Sequence, residues 1–457
     1  MNRRSGLTSL SRRRVLQAAA ATGMLAAIER NFALAQSAPD YKALVCIFLE
    51  GGNDGENTLI RFDNAGYQNY ASIRTPASGL NIPQGQLLPI QPASTGIAFG
   101  LNPACASLQT LFVQKKLAVI ANVGPLVQPV AKFALEHQGA ARPANLFSHS
   151  DQQRVVSTAD ASAQNRVGWG GRIADRSDAF NAGTLFPPLI ATDVSGTFGN
   201  GFTSIPLTVP PGAVYSNVGT PDPQVDALAE ATIREILAQQ RTNIYDSVAQ
   251  LYAEESLSAN SIVAPVLHSA TSAVRPFFAN LNGNLALQLL NVALLIEARG
   301  QTGLRRQLFY VRHSGFDTHG SQPAIQHRLL DEFSKAMNAL QGALAALNLG
   351  QNVTTFTLSD FGRTFKPAAG AGTDHGWGNY SLVIGDAVKG GDFYGKLPTQ
   401  ALDGPDDFGN AGRWIPTTSI EQYAATLARW FGIAEGDMPY ILPNIGAFAN
   451  TNLGFMS

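Results

Sequence analysis

The chain reads as an α/β protein with a mostly parallel central sheet and helices on both faces. Two observations predict this. Five short apolar runs, "ALVCIFLE" (43–50), "LAVIANVG" (117–124), "LFYVRHSG" (308–315), "VTTFTLSD" (353–360) and "SLVIGDAV" (381–388), are continuous more than alternating, which suits strands buried on both faces. Segments of helical periodicity lie between them at about 102–115, 223–256, 284–299, 323–347 and 420–432. Strand alternating with helix is the pattern of a sheet covered on both sides.

With 457 residues, 45% hydrophobic and 14% charged, the chain can bury a large core. A single domain over 36–457 is expected, carrying an insertion at about 186–256. That insertion opens with "FPPLIATDVSGTFGNGFTSIPLTVPPGAVYSNVGTPDP", rich in Gly, Pro, Ser and Thr. It predicts loop with short edge strands, then a long helix, and either closes over the sheet as a cap or packs as a flank.

The first 35 residues are set apart. "SRRRVLQAAAATGMLAAIERNFALAQ" has a basic start, a short apolar stretch and a small-residue cleavage pattern at Ala33-Leu34-Ala35. Within it, Ser11-Arg12-Arg13-Arg14-Val15-Leu16 looks like the twin-arginine export motif; an ordinary secretory signal with extra arginines is the alternative. The apolar run from Val15 to Ile28 falls short of the roughly 20 residues of a membrane span. The expectation is export by the twin-arginine machinery, cleavage near Ala35, no permanent membrane span, and residence in the periplasm or outside the cell.

Six of the 32 basic residues and one of the 33 acidic ones fall in that segment, which leaves 26 and 32, a balance of −6. No basic stripe remains, which disfavours nonspecific nucleic-acid binding, and no nucleic-acid partner is expected. Cys46 and Cys105 are the only cysteines. They provide no disulfide framework and no CxxC metal knuckle. Nor is there a GxGxxG after the first strand or a CxxCH, so a redox cofactor has no motif to hold it.

Ligands of open α/β sheets bind beyond the carboxyl ends of the strands, and there the chain places its chemistry. "GGNDGENT" after the first run carries Asp54, "FDTHG" after the third carries Asp317 and His319, and Ser359, Asp360 and Arg363 follow the fourth. His375 lies in "GTDHGWGN". Taken singly, Asp54 suits a tight turn, Asp317 and His319 a helix cap, and Asp360 a local pair with Arg363. Together they bring carboxylate and imidazole from three strands to one sheet edge.

That mixture favours zinc or manganese over calcium, which takes oxygen ligands almost exclusively. "NLFSHSDQQ" offers Ser148 as a hydroxyl for activation by a metal. An ordinary polar surface loop is the alternative. "VGWGGR" adds Trp169 and Arg172, as a wall and an anion contact or as packing residues.

The segments "CIFLEGGNDGENTL", "NLFSHSDQQ", "VGWGGR", "SGFDTHG", "TLSDFGRT", "GTDHGWGN" and "VKGGDFYGKLP" occur in the order seen in a bacterial exported family catalogued as domain of unknown function 1501. The resemblance runs from about Lys42 to the tail "LPNI". That family is similar to a distant branch of the alkaline phosphatase and sulfatase superfamily, whose members share an α/β sandwich with metal at the carboxyl edge. The resemblance implies Asp54 as the aspartate after the first strand, Ser148 at the nucleophile position and Asp317, His319 and His375 as ligands of one metal. Asp360 corresponds to the aspartate of a Ser-Asp-His-Gly segment serving a second. Here "SDFG" puts Phe361 where that histidine would stand, and an apolar ring cannot coordinate.

One divalent site near Asp317, His319 and His375 is therefore expected in preference to two. Asp54 and Asp360 either support a weaker second cation or hydrogen-bond the ligands from behind, and Arg363 binds a substrate oxyanion in the vacated space. The expected activity is hydrolysis of a phosphate or sulfate ester, small or polymeric. The alternative is a periplasmic binding or assembly protein that kept the scaffold and lost turnover.

Overall fold

The computed structural model describes residues 40–184, 186–211, 222–239 and 243–457. The export segment expected over 1–35 lies outside the described residues.

All five apolar runs form strands of one nine-stranded sheet. Its strands are β1 (Lys42–Glu50), β2 (Leu117–Gly124), β3 (Leu189–Ala191), β4 (Leu207–Thr208), β5 (Arg306–Ser314), β6 (Val353–Ser359), β7 (Asn379–Ile384), β8 (Asp392–Tyr394) and β9 (Thr418–Ser419). The order is β8-β2-β7-β6-β1-β5-β3-β4, with β9 beside β2. β1 is central, its Lys42 opposite Arg306 on one side and its Ala43 opposite Val353 on the other.

Within this sheet every pairing is parallel except those of β7, which runs against both β6 and β2. The reason is local. No helix interrupts the chain between Ser359 and Asn379, so it stays at one edge of the sheet and has to run back, whereas a parallel return needs a crossover. That loop carries Asp360, Arg363 and His375.

Among the helices are α1 (Asn64–Ile73), α2 (Ala106–Val113), α3 (His149–Thr158), α4 (Trp169–Arg176), α5 (Pro223–Leu237), α6 (Ile244–His268), α7 (Arg275–Phe278), α8 (Asn284–Glu297), α9 (Gln322–Ala346) and α10 (Ile420–Phe431). Successive residues of β1 serve opposite layers. Val45, Ile47 and Leu49 join α2, α8 and α9 in one core, while Leu44, Cys46 and Phe48 join α4 and α10 in the other. Each such side chain contributes about 1.5–3 kcal/mol through burial, which is why the runs are continuous. Cys46 and Cys105 are free and belong to separate cores.

Two helices fall where loop was expected. α3 is two to three turns of polar sequence whose buried side holds Gln152, Val155 and Val156. α4 begins "WGG", and each glycine lowers helix propensity by about 1 kcal/mol. Contact explains them: a Cβ on Gly170 would lie 2.3 Å from the Phe198 ring, and one on Gly171 2.1 Å from the backbone of Asn200. Arg172 is buried and donates to the carbonyls of Ile441, Val167 and Thr158, so it joins segments and does not meet an anion. Trp169 is buried in the core beside Phe198 and Phe356.

The inserted region supplies β3 and β4, which extend the sheet beyond β5, and then α5 and α6, with α6 packed on α8. Among the described residues no helix is long and apolar enough to cross a membrane.

Candidate metal centre

β1, β5 and β6 end side by side, with Glu50 opposite Ser314 and Leu49 opposite Ser359. The turns beyond them nest tightly. Gly51 and Gly52 have φ of 110° and 85°, and a Cβ on Gly51 would lie 2.3 Å from the Asp317 nitrogen. Only glycine tolerates both the conformation and the approach. The loop after β6 folds on itself, Arg363 bridging His375 and the Gly362 and Trp377 backbones bonded at 3.0 Å. α3 comes from elsewhere in the chain and starts at this edge, presenting His149 from its first turn.

His149, Asp317, His319 and His375 converge, one ligand atom from each lying within 4.8 Å of all the others. His149 Nε2 is 3.1 Å from His375 Nε2, and His319 Nε2 is 2.8 Å from it. Asp317 Oδ1 lies 3.3 Å from His149 Nε2, 3.0 Å from His319 Nε2 and 3.5 Å from His375 Nε2. A tetrahedron around zinc with bonds of roughly 2.0–2.1 Å has edges of about 3.3 Å. Five of the six edges fit that scale.

The rings are oriented from behind. His375 Nδ1 lies 2.7 Å from the Phe147 carbonyl, which only accepts, so the proton is on Nδ1 and Nε2 presents its lone pair. His149 Nδ1 lies 2.8 Å from Asp360 Oδ2, which accepts its proton and turns Nε2 toward the cluster. Hydrogen bonds of this kind set the tautomer of metal-binding histidines. Three imidazoles and one carboxylate are a sound donor set for a divalent transition metal.

The carboxylate bond raises the His149 pKa above the ordinary imidazole value, against burial. Burial lowers that of His375. For Asp317, burial pushes the pKa up, but the Arg363 bond and charge, helped by His149 and His319, outweigh it and hold the carboxyl below its usual range. The side chains of Asp317 and His319 are 48% and 49% exposed against 17% for His375, so the centre opens to solvent on the Asp317 and His319 side.

The structure brings together Asp317, His319 and His375 as the sequence suggested. It adds His149, which sequence reasoning passed over in favour of its neighbour Ser148. Asp360 is fully buried behind His149, accepting from Gly51 N at 2.9 Å and Gln153 Nε2 at 2.9 Å. Its expected place beside a second cation gives way to the hydrogen-bonding role. Phe361 stacks on His375 (centroids 4.6 Å apart) and packs on His149 (4.8 Å), a buried platform beneath both rings.

Two expected roles are corrected. Asp54 stands apart from the cluster: Arg74 holds its two oxygens at 2.6 and 3.0 Å, Gln322 donates to Oδ2 at 2.5 Å, and the pair is wholly buried. A carboxylate so engaged has no oxygen left for a metal. Arg363 does not face substrate. Its guanidinium is buried and donates to Gly52 O, Thr373 O, Gly51 O, Phe316 O and Asp317 Oδ1. Ser148, half-buried, precedes α3 with its hydroxyl 3.3 Å from that of Ser150 and makes no cap.

Solved structures to which the chain is similar include the C-terminal periplasmic domain of EcEptC from Escherichia coli, in complex with Zn. That match has 10% identity and a TM-score of 0.33, covering 87% of this chain and 84% of that one. The PsFucS1 sulfatase from Pseudoalteromonas sp. has 9% identity and a TM-score of 0.35 over 90% and 72%. The alkaline phosphatase from the Antarctic bacterium TAB5 has 10% identity and a TM-score of 0.27 over 75% and 91%. No curated protein sequence matches the chain. The model of one protein family covers residues 41–433, from the first residues of β1 to just past α10, and the chain belongs to that family, described as a protein of unknown function (DUF1501).

Proposed function

We propose that the protein is an exported, single-domain hydrolase of phosphate or sulfate esters that uses one divalent metal, zinc or manganese, held by His149, Asp317, His319 and His375. One observation carries the reading. Two imidazoles whose Nδ1 atoms are each held by an acceptor turn their Nε2 atoms toward each other across 3.1 Å, an arrangement that a cation between them satisfies.

A divalent cation bound there would polarise an ester oxygen and acidify a water or hydroxyl. The chain's own groups do the rest. Asp360 and the Phe147 carbonyl keep both rings in register, and Arg363 pins Asp317 at 2.6 Å. Substrate approaches from the exposed side formed by Asp317 and His319. With Arg363 committed elsewhere, the cation for the substrate's anionic group is Arg413, whose Nε donates to the His375 carbonyl at 2.9 Å while its guanidinium lies over the Phe147 ring. Among the described residues its outer nitrogen meets only Asp374, at 3.4 Å. The nucleophile is the Ser148 hydroxyl or a water.

A second reading has its own support. Four protein donors fill a tetrahedral shell, as in structural sites, whereas catalytic zinc keeps a position open. On that reading the protein binds or assembles and does not turn over. Elemental analysis of protein purified without chelator, followed by a panel of chromogenic phosphate and sulfate esters with added zinc or manganese, separates the two. Turnover lost in His375→Ala and slowed in Arg413→Ala supports the hydrolase. Tightly bound metal with no turnover on any ester supports the structural reading, and no metal overturns both.

A further inference from the structure

The cation proposed for the substrate's anionic group has a carboxylate beside it. Asp374 Oδ2 lies 3.4 Å from the outer nitrogen of Arg413, next to the metal centre. Asp374 is firmly placed. Its Oδ1 accepts from the His375 nitrogen at 2.8 Å, its own nitrogen donates to the Thr364 hydroxyl at 3.0 Å, and its carbonyl accepts from Thr364 N at 2.9 Å. One carboxylate oxygen is thus spent on the backbone of His375, and the other is turned to the guanidinium. The Asp374 side chain is 54% exposed against 25% for Arg413, so an anion that reaches Arg413 from solvent passes close to the carboxylate.

The charges of the site limit what it takes. Asp317 is pinned by Arg363 at 2.6 Å, Asp360 lies 2.8 Å behind His149, and Asp374 faces Arg413. Three carboxylates against two guanidiniums leave one negative charge, which a divalent cation turns into one positive charge. A sulfate monoester or a phosphate diester carries a single negative charge and neutralises the site. A phosphate monoester carries about two at neutral pH and above, which leaves an excess facing Asp374. Like charges set against each other cost affinity, and the cost grows in proportion to the charge of the ligand.

We infer, on the hydrolase reading given above, that the site takes singly charged esters, sulfate monoesters or phosphate diesters, in preference to phosphate monoesters, and that Asp374 is the residue that sets this preference.

The test removes the charge and keeps the shape. In Asp374→Asn the amide oxygen can still accept from the His375 nitrogen, and metal content equal to the parent's is expected by elemental mass spectrometry. Should that variant lose metal, Asp374→Ser removes the same charge and takes its place. Parent and variant are titrated calorimetrically at pH 8 with inorganic phosphate, doubly charged there, and with methyl sulfate, singly charged. Because the energy scales with ligand charge, the variant is expected to bind phosphate about fivefold tighter and methyl sulfate about twofold tighter. It should also raise kcat/KM for 4-nitrophenyl phosphate relative to bis(4-nitrophenyl) phosphate. An equal gain for both anions, no gain for phosphate, or an unchanged ratio of the two ester activities would overturn the inference and leave the hydrolase reading standing. Arg413→Ala is expected to weaken both anions. A parent that binds neither anion and cleaves no ester would overturn the reading and the inference together.

Discussion

His149 and His375 point their Nε2 atoms at each other across 3.1 Å, although one belongs to a helix and the other to a loop 226 residues further along the chain. Each ring is turned by a partner on its far side, Asp360 for one and the Phe147 carbonyl for the other. Phe361 packs against both. The centre is thus organised by buried groups that never touch the space between the imidazoles.

The four-residue donor set leads to a stoichiometry. Protein purified without chelator is expected to carry about one equivalent of zinc or manganese. His375→Ala and Asp317→Ala should each lose it, as measured by elemental mass spectrometry. Two equivalents would contradict the single-site reading.

Asp360 acts through His149, so Asp360→Asn should weaken metal binding by about 10–100-fold without removing a ligand. Competition against a chromogenic chelator measures this, with circular dichroism showing the fold retained. An affinity equal to the parent's would show that the His149 orientation does not depend on the carboxylate.

The Asp54 and Arg74 pair is expected to matter for stability and not for metal. Removing one partner of a buried pair strands the other charge, at a cost of about 3–5 kcal/mol. Denaturant unfolding of Asp54→Ala should show that loss, while the metal content of the folded protein stays that of the parent. Loss of metal at unchanged stability would return Asp54 to the ligand set.

Glu56 sets a pH dependence. Burial pushes its pKa up to about 7 against the ordinary 4.5, opposed by Arg74 and by hydrogen bonds from Trp414 and Gln400. Between those values the folded state holds a proton that the unfolded state has released, so stability falls as pH rises from about 4.5 to 7 and levels off above. Such a shift amounts to a loss on the order of 3 kcal/mol. Glu421, also raised to about 7 by burial, adds a slope of the same sign. Glu56→Gln should flatten the Glu56 share, read as the difference between parent and variant in urea midpoints at pH 5 and pH 8. Parallel pH profiles would refute the assignment.

The sheet was legible because burial on both faces leaves a plain mark. β1, β2, β5 and β6 fall within two residues of their apolar runs, and β7 overlaps the fifth run but starts and ends earlier. The short helices were not legible. α3 is polar with a narrow buried side, and the glycines of α4 read as turn residues because the Phe198 and Asn200 contacts that require them lie about 30 residues away.

At the site, the sequence by itself determined that Asp317, His319 and His375 gather at one edge, because parallel strands deliver the residues that follow them to the same side. It also ruled out an imidazole at position 361. The tertiary structure alone decided which neighbouring charges were free to act. Asp54 meets Arg74, Arg363 meets four backbone carbonyls and Asp317, and His149 arrives on a helix from a different crossover. Whether a carboxylate or guanidinium is spent inside the fold depends on partners brought together by packing, and spacing along the chain does not encode those partners.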